Sequence, residues 1–99
     1  MTKDHKELLK AALARCLAQA GEVRKVVIFG SFLSSDSPND MDVAVFVDEG
    51  QKYIPLAQKL RRLARPVSAS IPLDIIPVRP NATGALLDEI ATGEVVYER

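Results

Sequence analysis

The chain has 99 residues, 13 Lys+Arg against 13 Asp+Glu, 47% hydrophobic and 26% charged residues. That describes one soluble domain with one modest core, and its zero net charge excludes a general nucleic-acid-coating protein and a polybasic membrane anchor. A single cysteine, Cys16, and a single histidine, His5, exclude an internal disulfide, a cysteine-based zinc site and a histidine-rich metal site, and fit a reducing cytoplasm.

No apolar run approaches the roughly 20 residues that cross a bilayer, and the charged stretch Met1–Glu7 lacks a signal-peptide core. Asp4–Ala20 reads as an amphipathic helix with a stripe of Leu8, Leu9, Ala12, Leu13, Cys16 and Leu17. Asp4 with Glu7 resembles a capping box, and Gly21 is a natural stop. Arg24–Phe29 is β-branched and apolar, a buried strand that ends at Gly30-Ser31. Phe32–Asn39 is a connection rich in Ser, Asp, Pro and Asn, with one helical turn at its start. Met41–Val47 is a second buried strand. Lys52–Arg65 is a helix with Leu56, Leu60, Leu63 and Ala64 inward and Pro66 closing it. Leu73–Val78 is a third strand, kept short or at an edge by Pro72 and Pro77. Asn81 or Thr83 caps a further helix with Leu86, Leu87 and Ile90 inward. Gly93 ends it, and Val95–Tyr97 adds a last strand. The order points to an α/β (α+β) domain over residues 1–99, a small mixed sheet flanked by helices.

Two strands begin with aspartates where strands seldom carry them. Asp42 stands at the mouth of Val43–Val47, and Asp40 lies two residues before it. In extended chain those two side chains share a face, about 6.5–7 Å apart, close enough for two hard carboxylates to serve divalent cations. Asp74 opens the third strand in the same way. Only ten positions separate Gly30 from Asp40, too few for a parallel crossover, so the first two strands pair antiparallel. A whole helix separates the second and third, which suits a right-handed parallel crossover. Gly30, Ser31, Asp40, Asp42 and Asp74 then share one sheet edge. Singly, each is ordinary turn or strand-end chemistry. Together they can hold two Mg²⁺ ions and a nucleoside triphosphate, with Gly30 admitting a phosphate close to the backbone and Ser31 offering a hydroxyl.

Val27-Ile28-Phe29-Gly30-Ser31, Asp40-Met41-Asp42-Val43-Ala44-Val45 and Leu73-Asp74-Ile75-Ile76, in this order, resemble the DNA polymerase beta-type nucleotidyltransferase superfamily. The small size and the closing Glu89–Glu98 resemble its minimal nucleotidyltransferases (MNT). The resemblance implies ATP as substrate and Mg²⁺-dependent nucleotidyl transfer. Gly30 and Ser31 would hold the triphosphate and Asp40 and Asp42 the metals, with Asp74 as third carboxylate and activator of the acceptor. It also implies a helical HEPN-class toxin as partner, with this chain as the antitoxin that adenylylates it, on a tyrosine hydroxyl by preference. Two positions depart from the family pattern: Phe32 stands where an Arg often follows the Ser, and Ser35 where a second Gly is usual. A non-catalytic antitoxin that neutralises by contact, or transfer to a small aminoglycoside-like molecule, are the alternatives.

A chain of this length that builds such an edge has little surface left for a second substrate, which independently favours a partner. The acceptor, the nucleotide base and any homo-oligomer stay open, and no membrane or direct nucleic-acid contact is expected. Lys59, Arg61, Arg62 and Arg65 read as a solvated face that complements the helix C-terminal dipole, with docking of an acidic partner as the alternative. Phe32 reads as an apolar anchor beneath its loop, and Cys16 as core.

Overall fold

The computed structural model describes all 99 residues. Helix α1 spans Lys3–Leu17. Thr2 caps it in place of the Asp4–Glu7 box: its hydroxyl accepts from the His5 N–H, three residues on, where a side-chain cap acts. The helix stops at Ala18 rather than running to Ala20 and Gly21. Leu9, Leu13 and Leu17 are buried, whereas Leu8 is 68% exposed and leaves the expected stripe.

Strand β1 (Val23–Phe29) leads through a four-residue helix α2 (Ser31–Ser34) to β2 (Met41–Val47). Helix α3 (Tyr53–Leu63) follows. Pro66 does not close it. Instead Pro66 sits in the first turn of a separate short helix, α4 (Arg65–Ser68), where its missing N–H would be unpaired in any case. β3 is Leu73–Val78, with the limits its apolar run predicts. α5 (Ala85–Ala91) starts at Gly84 with no side-chain cap, so neither Asn81 nor Thr83 serves. Of its three inward candidates, Ile90 is buried, Leu87 half-buried and Leu86 exposed. β4 is Glu94–Glu98.

The sheet order is β3-β2-β1-β4. β1 is antiparallel to β2 and to β4, and β2 is parallel to β3. This is the mixed α/β sheet that the element order predicts. One face carries Val26 and Ile28 of β1, Met41, Val43 and Val45 of β2, and Ile75 of β3. α1 and α3 cover that face with Leu9, Leu13, Leu17, Leu56 and Leu60. The opposite face carries Val27, Phe29, Ala44 and Val78, with Ile90 of α5 packed on them. Alternation along β2 places Asp42 on this second face, in line with Ala44 and Phe46. A seven-residue helix covers only part of that face, and Asp42 lies at its margin.

No helix is long and apolar enough to cross a membrane. Of the four cations of α3 and α4, Lys59 is paired, with both Glu22 oxygens at 3.0 and 3.1 Å. Arg61, Arg62 and Arg65 are exposed and join no salt bridge. The Glu22 carboxyl is held below its ordinary value by a backbone hydrogen bond and by Lys59. A lowered carboxyl stabilises the fold above its unfolded value and loses that contribution as pH falls through the folded one. Water screens the Lys59 end, so Glu22→Gln should cost about 0.5–1 kcal/mol at pH 7. Urea unfolding of both proteins should show that gap closing below about pH 4.

Candidate active site

Gly30 ends β1 and opens α2 at φ +79°, a conformation that L side chains rarely adopt. A Cβ there would stand 2.6 Å from Asp42 Oδ2. The glycine is therefore required both by the turn and by the approach of its backbone to that carboxylate. Ser31 follows as an exposed first residue of α2. Its carbonyl accepts from the Ser35 N–H at 2.8 Å, and the Gly30 carbonyl accepts from Leu33 N–H at 3.2 Å.

Asp42 is paired in register with Phe29 across the antiparallel ladder and with Asp74 across the parallel one. Neighbouring strands lie about 4.8 Å apart, so the two carboxylates start from adjacent backbone positions on the same face. The Met41 N–H donates to the Pro72 carbonyl at 2.9 Å and fixes the two strand starts to each other. Asp40 precedes β2 and is exposed, as is Asp74, while Asp42 is half-buried.

Burial pushes the Asp42 carboxyl above its ordinary value, and the charges of Asp40, Asp74 and Glu89 push it the same way. Gly30, Asp40 and Asp74 thus all lie within reach of Asp42, and a further acid acts on it. Glu89 comes from α5, one residue before the buried Ile90. Nothing in the sequence marked it, because a Glu on a short amphipathic helix reads as solvated. None of these four carboxylates is paired with a Lys or Arg of the chain.

No group of three His, Cys, Asp or Glu side chains lies close enough together to hold a metal ion. The expected three-aspartate cage is therefore not closed in this arrangement: Asp40 stands outside the strand and Asp74 is turned to solvent. The donor set still fits a hard divalent cation. It consists of carboxylate oxygens alone, burial and the neighbouring acids disfavour the charged form of Asp42, and no Lys or Arg of the chain pairs with it.

The two departures in the loop have structural reasons. Phe32 is wholly buried in the main core, the apolar anchor expected of it. Ser35 is extended at φ −90°, ψ 141°, so no glycine conformation is needed there. Its hydroxyl accepts from the Ser37 N–H at 3.1 Å and shapes the loop toward Asp40.

Residues 11–99 match the family model described as polymerase beta, nucleotidyltransferase. A search of the curated proteins gives no significant match. Among solved structures, the chain is similar to one in a complex of a tri-AMPylated Shewanella oneidensis HEPN toxin with an MNT antitoxin. The TM-score is 0.71 at 18% identity, over 95% of this chain and 73% of that one. A mutant MntA–HpeT toxin–antitoxin structure gives 0.70 at 14% identity, over 91% and 73%. A Sulfolobus solfataricus protein described as a nucleotidyltransferase gives 0.56 at 17% identity, over 95% and 80%.

Proposed function

The chain belongs to the polymerase beta nucleotidyltransferase family, and from that premise we propose that it transfers AMP from ATP to a hydroxyl of a partner protein, as the antitoxin of a HEPN/MNT pair acting in the cytoplasm. The observation that carries this reading is the Asp42–Asp74 register pair beside the Cβ-less face of Gly30. The HEPN toxin in the Shewanella complex is itself tri-AMPylated and bound to an MNT antitoxin, which supports the choice of acceptor and partner.

Gly30 and Ser31 would receive the triphosphate, the glycine by letting phosphate approach the backbone and the serine by its exposed hydroxyl. Asp40 and Asp42, with Asp74, would hold Mg²⁺. Bound there, that ion supplies charge neutralisation and Lewis acidity at the phosphates. Asp74, exposed at the edge, would accept a hydrogen bond from the incoming hydroxyl and take its proton. The hydroxyl oxygen forms a bond to the α-phosphorus, the bond from that phosphorus to the bridging oxygen breaks, and pyrophosphate leaves. The repulsion around Asp42 favours cation binding before or with the nucleotide.

The test uses the protein encoded beside this chain, which this reading takes to be a HEPN-class toxin, with ATP and Mg²⁺. Intact masses should show added AMP on that protein, and none when Asp74→Asn replaces the wild type, with the complex still forming. Unmodified masses, together with full neutralisation of the toxin by both forms, would overturn transfer in favour of an antitoxin that acts by contact.

A further inference from the structure

The inward stripe of α1 is Leu9, Leu13 and Leu17. Carried one turn back at helical spacing, it falls on Lys6. A lysine at an inward position must bring its ammonium to a partner or to water. Lys6 is half-buried, and its ammonium donates to the Ser35 carbonyl at 2.6 Å. It also lies 5.5 Å from the centre of the buried Phe32 ring, within the range of a cation–π contact.

Ser35 is where α2 ends, and its own N–H is already given to the Ser31 carbonyl. The Lys6 charge therefore closes the C-terminal end of the turn that begins with Ser31, where a cation is favoured. No other Lys or Arg side chain hydrogen-bonds to residues 30–40, where the one further cation is the Met1 ammonium, which donates to the Asp36 carbonyl at 2.6 Å, beyond the turn itself. The tether spans 29 positions of sequence and ties the first turns of α1 to the segment between Ser31 and Asp40. Phe32 cannot meet a phosphate from within the core, so the shape of this turn depends on what holds its two ends.

We propose that Lys6 is a positioning residue for the transfer reaction, fixing the Ser31–Ser35 turn and the approach to Asp40 through the Ser35 carbonyl and the Phe32 ring. The inference rests on the nucleotidyl-transfer reading. A site that holds a triphosphate from a loop loses affinity when the loop is free to move, even though the groups that do the chemistry are intact. Lys6 thus acts on nucleotide capture and leaves the chemical step alone.

The experiment compares Lys6→Met and Lys6→Arg with wild type. Amide hydrogen exchange at residues 31–40, without nucleotide, should be about tenfold faster in Lys6→Met and close to wild type in Lys6→Arg. In the transfer assay, Lys6→Met should raise KM for Mg–ATP about tenfold and keep kcat within about twofold. Lys6→Arg should restore KM, and the thermal midpoints of both variants should stay close to wild type. Unchanged exchange and KM in Lys6→Met would overturn the inference. So would equal losses of KM, kcat and thermal stability in both variants, which mark a merely structural side chain. A wild type that binds no Mg–ATP in calorimetry, with loop exchange responding as described, would overturn the transfer reading and with it this role for Lys6. Normal wild-type binding with an indifferent Lys6→Met overturns the Lys6 inference alone.

Discussion

On the proposed transfer reading, Asp42→Asn is expected to lower AMP transfer by about 10²–10³-fold, the scale seen when one preorganised group at a reacting centre is lost, and at the same time to raise the thermal midpoint. The two effects have one cause. Asp42 is half-buried, faces three other acids and pairs with no cation of the chain. A carboxyl raised in the folded state stabilises the fold only while protonated, below its unfolded value, and that contribution is lost as pH rises through the folded value. At neutral pH the ionised group is a net cost, which the amide removes. The midpoint should rise by a few degrees, since about 1 kcal/mol shifts a domain of this size by 4–8 °C. Scanning calorimetry across pH should show the advantage shrinking toward the ordinary carboxylate range. Added Mg²⁺ should stabilise the wild type and leave Asp42→Asn unmoved. A lower midpoint for Asp42→Asn at pH 7 would mean that the carboxylate holds the strand start together and is not strained there.

The second large effect is expected at Gly93. Its φ is unremarkable, so the constraint is space rather than backbone conformation. A Cβ there would lie 2.5 Å from the Ile28 carbonyl oxygen, 2.8 Å from Val27 Cγ1 and 3.0 Å from Phe29 Cβ. The carbonyl belongs to β1, which has neighbours on both sides, and cannot withdraw without disturbing both ladders. Gly93→Ala should therefore destabilise by about 1–3 kcal/mol, the usual range for overpacking. Gly93 also donates its N–H to Ile90 at 2.9 Å, so β4 cannot move without α5 and Glu89. Gly21→Ala is the control: nothing lies within 4 Å of its Cβ position, and its φ is ordinary. Denaturant midpoints that move equally for both substitutions would contradict the close approach at Gly93.

Much of the architecture was readable because the inner strands β1 and β2 are buried on both faces, while Pro72 and Pro77 mark β3 as the edge strand it is. Met41–Val47 and Leu73–Val78 are apolar runs bounded by turn residues or proline, and each begins with or beside an aspartate at the rim of the sheet. Loop length then decided parallel against antiparallel. Helix ends were less readable because several residues compete for each cap. Thr2 prevailed over Asp4 because its hydroxyl reaches the His5 N–H. Pro66 signals a boundary, but a proline serves the first turn of a new helix as well as the end of an old one. Glu89 and Lys6 escaped for a shared reason. Both are charged residues on amphipathic helices, and only the packing of α5 on the sheet, which brings the exposed Glu89 within reach of Asp42, and of α1 over Phe32, which half-buries Lys6, gives them a role.

The strand order has a kinetic consequence. Phe29 and Asp42 pair across a single loop, whereas Asp74 joins only after α3 and α4 have been traversed, and Lys25 meets Glu98 from nearly the far end of the chain. Closure entropy grows with the length enclosed, so the β1–β2 ladder forms first and β4 last. Gly30 and Asp42 are neighbours early, while the charges of Asp74 and Glu89 arrive only after the β1–β2 ladder is built. Their repulsion is then missing from the transition state for folding and present in the native state. Neutralising Asp74 or Glu89 should leave the refolding arm of a chevron in place and slow the unfolding arm. The acidic edge thus sets how long the native state lasts and leaves its rate of formation unchanged.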